Sequence, residues 1–291
     1  MKTITGLCAG FCLVFGSFGS GAMVAQDTSG AEMAPPKVLV IEREFTKPGK
    51  DGAVHEKSES AFVNAVTAAK WPTHYFAAKS MSGKPRVLFF FGYPSFEAWE
   101  KDNHDTEKNA VLSAAIDRAS VADGDLLTNF DQQVFVYDAD LSLHTGDIVH
   151  SRYFEISRYV VKPGHRSEWL DLVKLYQKGF EKIPNANWAT FESYYGEDNG
   201  GVYIAISKMA SLSEDDASMG DDKKFAAAMG SDGMKKVREL TAACIESEQT
   251  NLFEFNPKMS YPSEDWIKAD PFWKPKAAAA APKKAAAAAT P

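Results

Sequence analysis

The sequence predicts an α+β protein built from two tandem βαββαβ units that shield each other's sheets. Two observations carry this. First, the chain repeats itself. The run from Val40 to Lys50 matches the run from Glu155 to His165, and a shared Lys-Pro-Gly sets the offset at 115 residues, from Lys47 to Lys162. Second, the strand-like runs are apolar at successive positions. Val87-Leu88-Phe89-Phe90-Phe91 is apolar throughout, and Val202-Tyr203-Ile204-Ala205-Ile206 nearly so. A sheet with one wet face would alternate instead. At about 25 cal/mol per Å2, leaving even two of those Phe side chains in water would cost several kcal/mol. Each sheet therefore needs a second cover, and the sheet of the other copy is the natural one.

The chain opens on a secretory pattern. Lys2 supplies a positive start, an apolar stretch runs from Ile4 to Phe18, and Gly21-Ala22-Met23-Val24-Ala25 offers small residues before a cut at Gln26. Residues 1–25 are thus expected to be a signal peptide, and the mature protein to be periplasmic or secreted. The stretch is short and broken by Gly, so no membrane span is expected. Cleavage removes Cys8 and Cys12 and leaves Cys244 alone, which precludes an internal disulfide. Cys244 lies in Leu240-Thr241-Ala242-Ala243-Cys244-Ile245, the pattern of a packed thiol on a helix stripe.

The first unit, residues 37–142, starts with a β-rich run that Lys47-Pro48-Gly49 must end. A helix follows, with Val54, Ala61, Phe62, Ala65 and Val66 as its apolar positions. Two strands joined by Ser82-Gly83-Lys84 come next, then a helical stretch over 96–122 and a last strand around Val134–Tyr137. The second unit, residues 152–260, repeats the order. Its first helix carries Trp169, Leu170, Val173, Tyr176 and Phe180, its hairpin turn is 196–200, its second helical stretch is 212–246, and its last strand is Leu252–Phe255. This is the ferredoxin-like split βαβ plan. From Lys274 to Pro291 the chain is Ala, Lys and Pro, with no large apolar side chain. It is expected to be a disordered tail, serving as a spacer or touching an anionic envelope surface.

A strand ending in Lys-Pro-Gly, a helix, a hairpin and a second helix-strand pair resemble the dimeric α/β-barrel group, which includes antibiotic-biosynthesis-monooxygenase-like and NIPSNAP-like domains. The resemblance covers both units. It implies an intramolecular dimeric α/β barrel of two fused copies, with a pocket between sheet and helices in each. The group hosts cofactor-free oxygenation, haem breakdown, isomerisation and plain binding, so it implies no single reaction. Its haem-degrading members use an Asn, a Trp and a His. The first-strand stretch here carries Glu, Arg or Ser and no Asn, which speaks against that chemistry.

The formal charge is -7, which argues against a nucleic-acid surface. Arg43 and Arg158 occupy matching strand positions in apolar rows. A guanidinium there either holds a carboxylate or other anion, or pairs internally with a residue such as Glu42, Glu44 or Glu192. Trp71 and His74 sit where the first helix feeds a strand, and Trp188 sits in the corresponding place of the second unit. His74 is the candidate general base, or else a half-buried joint residue. Trp71, Trp188 and Tyr194 are candidate lining for an apolar pocket, or plain core and hairpin aromatics. His104, His144, His150 and His165 show no ligand spacing, and the Asp215-Asp216 and Asp221-Asp222 pairs read as solvated helix starts, so neither metal nor cofactor is expected. There is no phosphate loop and no nucleophile elbow. The functional expectation is an exported protein that binds a small, largely apolar molecule. The alternatives are a cofactor-free monooxygenase- or isomerase-like enzyme and a structural envelope protein.

Overall fold

A computed structural model describes residues 34–146, 148–197 and 201–274. The expected signal peptide and the tail beyond Lys274 lie outside them. In the first half the order is β1 (Val38–Thr46), α1 (Ala53–Ala69), β2 (Tyr75–Ser80), β3 (Arg86–Tyr93), α2 (Phe96–Lys108), α3 (Ala110–Gly124) and β4 (Leu127–Leu143). In the second half it is β5 (Tyr153–Val161), α4 (Arg166–Phe180), β6 (Trp188–Tyr195), β7 (Val202–Met209), α5 (Ser213–Ser218), α6 (Asp221–Cys244) and β8 (Ile245–Phe255). A short helix α7 (Glu264–Ala269) and a 3-10 turn at Pro271–Trp273 follow.

All eight strands are antiparallel and close into one barrel in the order β1-β3-β2-β8-β5-β7-β6-β4. The two halves are therefore joined along strand edges, not stacked as separate layers. At one seam Val134 of β4 faces Tyr195 of β6; at the other Ala78 of β2 faces Phe255 of β8. Closure gives every one of these strands a neighbour on both sides.

The successive apolar positions follow from this closure. Leu88, Phe90 and Phe135 of one half meet Phe154, Phe191 and Phe253 of the other inside the barrel. Their sequence neighbours point outward and are covered by helices: Val87 and Phe89 pack near α1 and α3, while Tyr203 and Val161 pack under α4 and α6. Trp273 seals the barrel core. It is fully buried, and its indole N–H donates to the carbonyl of Val149 at 2.7 Å.

The sequence reading needs three local corrections. The expected helix over 96–122 is two helices, because Asn109 ends α2 and caps α3, its side chain accepting the N–H of Leu112 at 3.1 Å. The stretch 212–246 is likewise α5 followed by α6, with Gly230 in a non-helical conformation (φ 65°) inside the latter. Third, the buried face of α1 is His55, Glu59 and Val66, while Val54 and Ala61 point to solvent. Among the described residues no helix is long and apolar enough to cross a membrane.

Candidate metal centre

The polar face of α1 is explained by what it packs against. On β1, Leu39, Ile41 and Arg43 share one parity, with Leu39 and Ile41 in the barrel interior; Val40, Glu42 and Glu44 take the other and face the helices. The chain turns at Lys47-Pro48-Gly49, and α1 runs back over this outer face. His55 and Glu59, one helical turn apart, then meet Glu44. Asp123, in the last turn of α3, completes the group.

His55 Nε2 sits among three carboxylates. It is 2.9 Å from Glu44 Oε2, 3.6 Å from Glu59 Oε1 and 3.5 Å from Asp123 Oδ1. All four residues are buried, His55 completely, and one ligand atom from each lies within 4.8 Å of all the others. Around a tetrahedral ion with bonds near 2.1 Å, donor atoms stand about 3.4 Å apart, so the cluster is already close to that spacing.

No Lys or Arg forms a salt bridge with Glu44, Glu59 or Asp123 among the described residues. Asp123 also lies at a helix C-terminus, where the dipole disfavours an anion. Burial opposes the charged form of His55, but Asp123 and Glu44 outweigh it and lift its pKa to about 10. Burial, reinforced by Glu44 and Asp123, pushes the Glu59 carboxyl well above its ordinary value. Hydrogen bonding is also incomplete. His55 Nδ1, Glu59 Oε1 and both Asp123 oxygens are buried without a hydrogen-bond partner. Folded proteins rarely leave such atoms unpaired, and here they gather in one place.

The second half shows what the same position looks like when it serves packing. Lys47 N–H bonds the carbonyl of Leu126 and Lys162 N–H that of Cys244, which fixes the correspondence of the two helix ends. Counted from the Lys-Pro-Gly turns and from the two helix ends, Tyr159 is set against Glu44 and Thr241 against Asp123, and α4 buries Trp169 and Val173. The Tyr159 and Trp169 rings pack at 5.1 Å between centroids. The fold therefore does not require charge at these positions.

Glu44, Glu59 and Asp123 border a cavity of about 450 Å3 between the first-half sheet and its helices. Trp71, Tyr75, Phe89, Tyr93 and Trp99 supply aromatic walls, and Glu42 and Asp102 add two more carboxylates. Asp102 is held by three donors: Trp71 Nε1 at 2.9 Å, Thr73 Oγ1 at 2.6 Å and Tyr93 OH at 2.9 Å. Glu42 accepts from Gln132 at 3.0 Å, and burial with the nearby charge of Glu44 raises its pKa to about 7. A second cavity, of about 490 Å3, lies in the second half and is lined by Tyr159, Trp169, Tyr176, Phe180 and Trp188 among others.

The residues singled out from sequence are dispersed. Trp71 lines the first-half cavity and Trp188 the second-half one. His74 sits at the barrel mouth, its Nδ1 3.2 Å from the Tyr261 carbonyl and its ring against Tyr261 at 4.7 Å. Tyr194 is exposed, 6.0 Å from Phe96. Arg43 pairs with Asp131 and Arg158 with Glu197, each through two hydrogen bonds, so both guanidinium groups are engaged internally. Their partners are not Glu42, Glu44 or Glu192, because strand pairing sets Arg43 opposite Asp131 and the turn after β6 brings Glu197 back to Arg158. The four-residue cluster has no short sequence signature. Its one visible trace is the i, i+4 pair His55 and Glu59 in phase with the buried Val66.

No protein-family model matches the sequence, and no curated protein matches it. Solved structures do. An anthrone oxidase-like protein is similar at 17% identity with a TM-score of 0.51, covering 76% of this chain and 92% of its own. A provisionally named monooxygenase from Fusobacterium nucleatum is 12% identical with a TM-score of 0.49, covering 77% and 94%. A mutant chlorite dismutase from Candidatus Nitrospira defluvii is 12% identical with a TM-score of 0.46, covering 81% and 96%. At 17% identity the first of these likenesses is one of fold: an α+β chain with a closed, eight-stranded antiparallel barrel of the dimeric α/β-barrel type.

Proposed function

We propose that this protein is a metal-dependent enzyme acting on a small molecule in the first-half cavity, with Glu44, His55, Glu59 and Asp123 as ligands to one divalent ion. The observation that carries this is the buried cluster itself: four ligand side chains converge at the edge of a cavity, where the second half has Tyr159 against Glu44 and Thr241 against Asp123. Three carboxylates and one imidazole suit Mn2+, Fe2+ or Zn2+ and offer no soft donor for Cu+. Held by Glu44, His55, Glu59 and Asp123, such an ion would supply a Lewis acid for a donor atom of the bound molecule. Glu42 borders the same cavity, and a carboxyl with a pKa near neutrality is suited to exchange a proton there.

The test is metal content. The purified chain, stripped with a chelator and dialysed against Mn2+, anaerobic Fe2+ or Zn2+, is expected to hold one ion per chain. His55→Ala and Glu59→Gln are expected to reduce that to near zero. A wild-type chain that holds none of the three overturns the reading.

The sequence repeat and the matching strand orders of the two halves support descent from a duplicated ferredoxin-like unit. The leader pattern supports export, and the Lys-bearing tail would then meet envelope surfaces. A second reading, binding of an apolar molecule without catalysis, is favoured by the second-half cavity, where the Trp169 indole N–H is buried without a partner.

A further inference from the structure

We propose that the first-half cavity takes a small organic amine, held as its ammonium form with its apolar part against the aromatic walls. This deepens the preceding reading, since it names the substrate class of the same site. It stands on the composition of the walls. Five carboxylates border the cavity, those of Glu42, Glu44, Glu59, Asp102 and Asp123, and no Lys, Arg or His side chain lines it. A divalent ion held by Glu44, Glu59 and Asp123 would leave the carboxyls of Glu42 and Asp102 as the acceptors open to a ligand. In a site of low dielectric, an anionic ligand would be repelled and a cation drawn in.

Two further observations narrow the ligand. Neither Glu42 nor Asp102 has a salt-bridge partner among the described residues, and both Asp123 oxygens face the cluster without a hydrogen-bond donor although the residue is only 2% exposed. Glu42 and Asp102 thus accept hydrogen bonds but face no cationic side chain, whereas Glu44, Glu59 and Asp123 share the His55 imidazole. The walls around them include Trp71, Tyr75, Phe89, Tyr93 and Trp99, whose ring faces attract an ammonium group where it stands over them and which take an apolar body by burial. The second-half cavity is also acidic, with Glu155, Glu214, Asp215, Asp221, Asp222 and Glu248 in its lining, but Lys208 and Lys224 stand among them. The lack of any basic lining side chain, among the described residues, is what distinguishes the first-half cavity. It also separates this cavity from an anion site built on Arg43 or Arg158, both of which face elsewhere.

Titration calorimetry on the full chain, chelator-treated and Mn2+-loaded, would use three probes of similar size: 2-phenylethylamine, 2-phenylethanol and 3-phenylpropanoate. The amine is expected to bind about tenfold or more tightly than the alcohol, and the carboxylate not measurably. Glu42→Gln and Asp102→Asn are each expected to weaken the amine about tenfold while metal content stays unchanged. Because Asp102→Asn also disturbs three hydrogen bonds, Glu42→Gln serves as the deciding variant should the other unfold. Equal binding of alcohol or carboxylate, no binding of any probe, or amine binding indifferent to Glu42→Gln overturns the proposal. If one ion binds per chain but the amine is not preferred, this inference fails alone. If no ion binds and the amine preference persists, the metal reading fails alone.

Discussion

His55 and Glu59 stand one turn apart on the buried face of α1, with His55 Nε2 and Glu59 Oε1 3.6 Å apart. Both side chains are buried, and among the described residues the only positive neighbour of the three buried carboxylates is that one imidazole. Removing one partner of a buried ionic group costs far more than removing a surface pair.

His55→Ala is therefore expected to destabilise the chelator-treated protein by about 3–5 kcal/mol. Urea unfolding checks this. Mn2+ should raise the midpoint of the wild type and leave that of the variant in place, since an ion bound by the folded state alone adds stability by mass action. A variant as stable as the wild type would show that the imidazole does not compensate the carboxylates.

The two arginine pairs differ in burial, and so should their coupling. Asp131 is about a third exposed at its side chain, whereas Glu197 is 10% exposed. Double-mutant cycles with Arg43→Ala/Asp131→Ala and Arg158→Ala/Glu197→Ala are expected to give about 0.5–1 kcal/mol for the first pair and more for the second. Neither cycle should alter ligand or metal binding.

Trp273 closes the barrel by packing on Phe255 and Trp266, at 5.3 and 4.9 Å between ring centroids. Trp273→Ala is expected to cost about 3–5 kcal/mol in urea unfolding, because a fully buried ring leaves a large void. A loss under about 1 kcal/mol would mean the C-terminal segment is dispensable to the barrel core.

That segment is also tied down by a carboxylate. Asp270 accepts the Phe272 N–H at 2.9 Å and the Arg152 guanidinium at 2.6 Å. Burial works to raise its pKa, but these bonds outweigh burial and hold it below the ordinary carboxylate value. A depressed folded value contributes stability above the unfolded pKa and loses it as pH falls through the folded one. Acidification below about pH 4 should therefore loosen the segment, read as a shift in tryptophan fluorescence. In Asp270→Asn the acid-sensitive part should be missing, with the segment already weakened at neutral pH.

Gly179 sets two effects against each other. Alanine at a helix position gains about 1 kcal/mol in propensity. A Cβ at Gly179, however, would stand 2.2 and 2.4 Å from ring atoms of Phe225. That ring is stacked between Tyr176 and Phe180, at 5.3 and 4.8 Å, and has little room to yield. Overpacking costs about 1–3 kcal/mol, so Gly179→Ala is expected to lower stability on balance. A more stable variant would show that the α4–α6 contact is looser than it looks.

Much of the fold was legible residue by residue. Lys47-Pro48-Gly49 and Lys162-Pro163-Gly164 end strands because proline cannot donate to a ladder, and Ser82-Gly83-Lys84 supplies turn chemistry. Val87 to Phe90 needed cover on two faces, and all four are buried. The site was far less legible. A helical stripe was expected to be apolar, so Val54 and Ala61 were assigned inward and His55 and Glu59 went unnoticed. Charged residues at a buried phase contradict the usual pattern, and such contradictions are where function concentrates.

By itself the sequence determined the periodicities and the breaks, since those depend on residues close along the chain. Only the tertiary structure decided which strand edges join to close the barrel, that Arg43 meets Asp131 and Arg158 meets Glu197, and that residues as distant as Glu44 and Asp123 share one imidazole. The reason is that pairing register and helix docking are set by the burial of many side chains at once. No short stretch of chain carries that information.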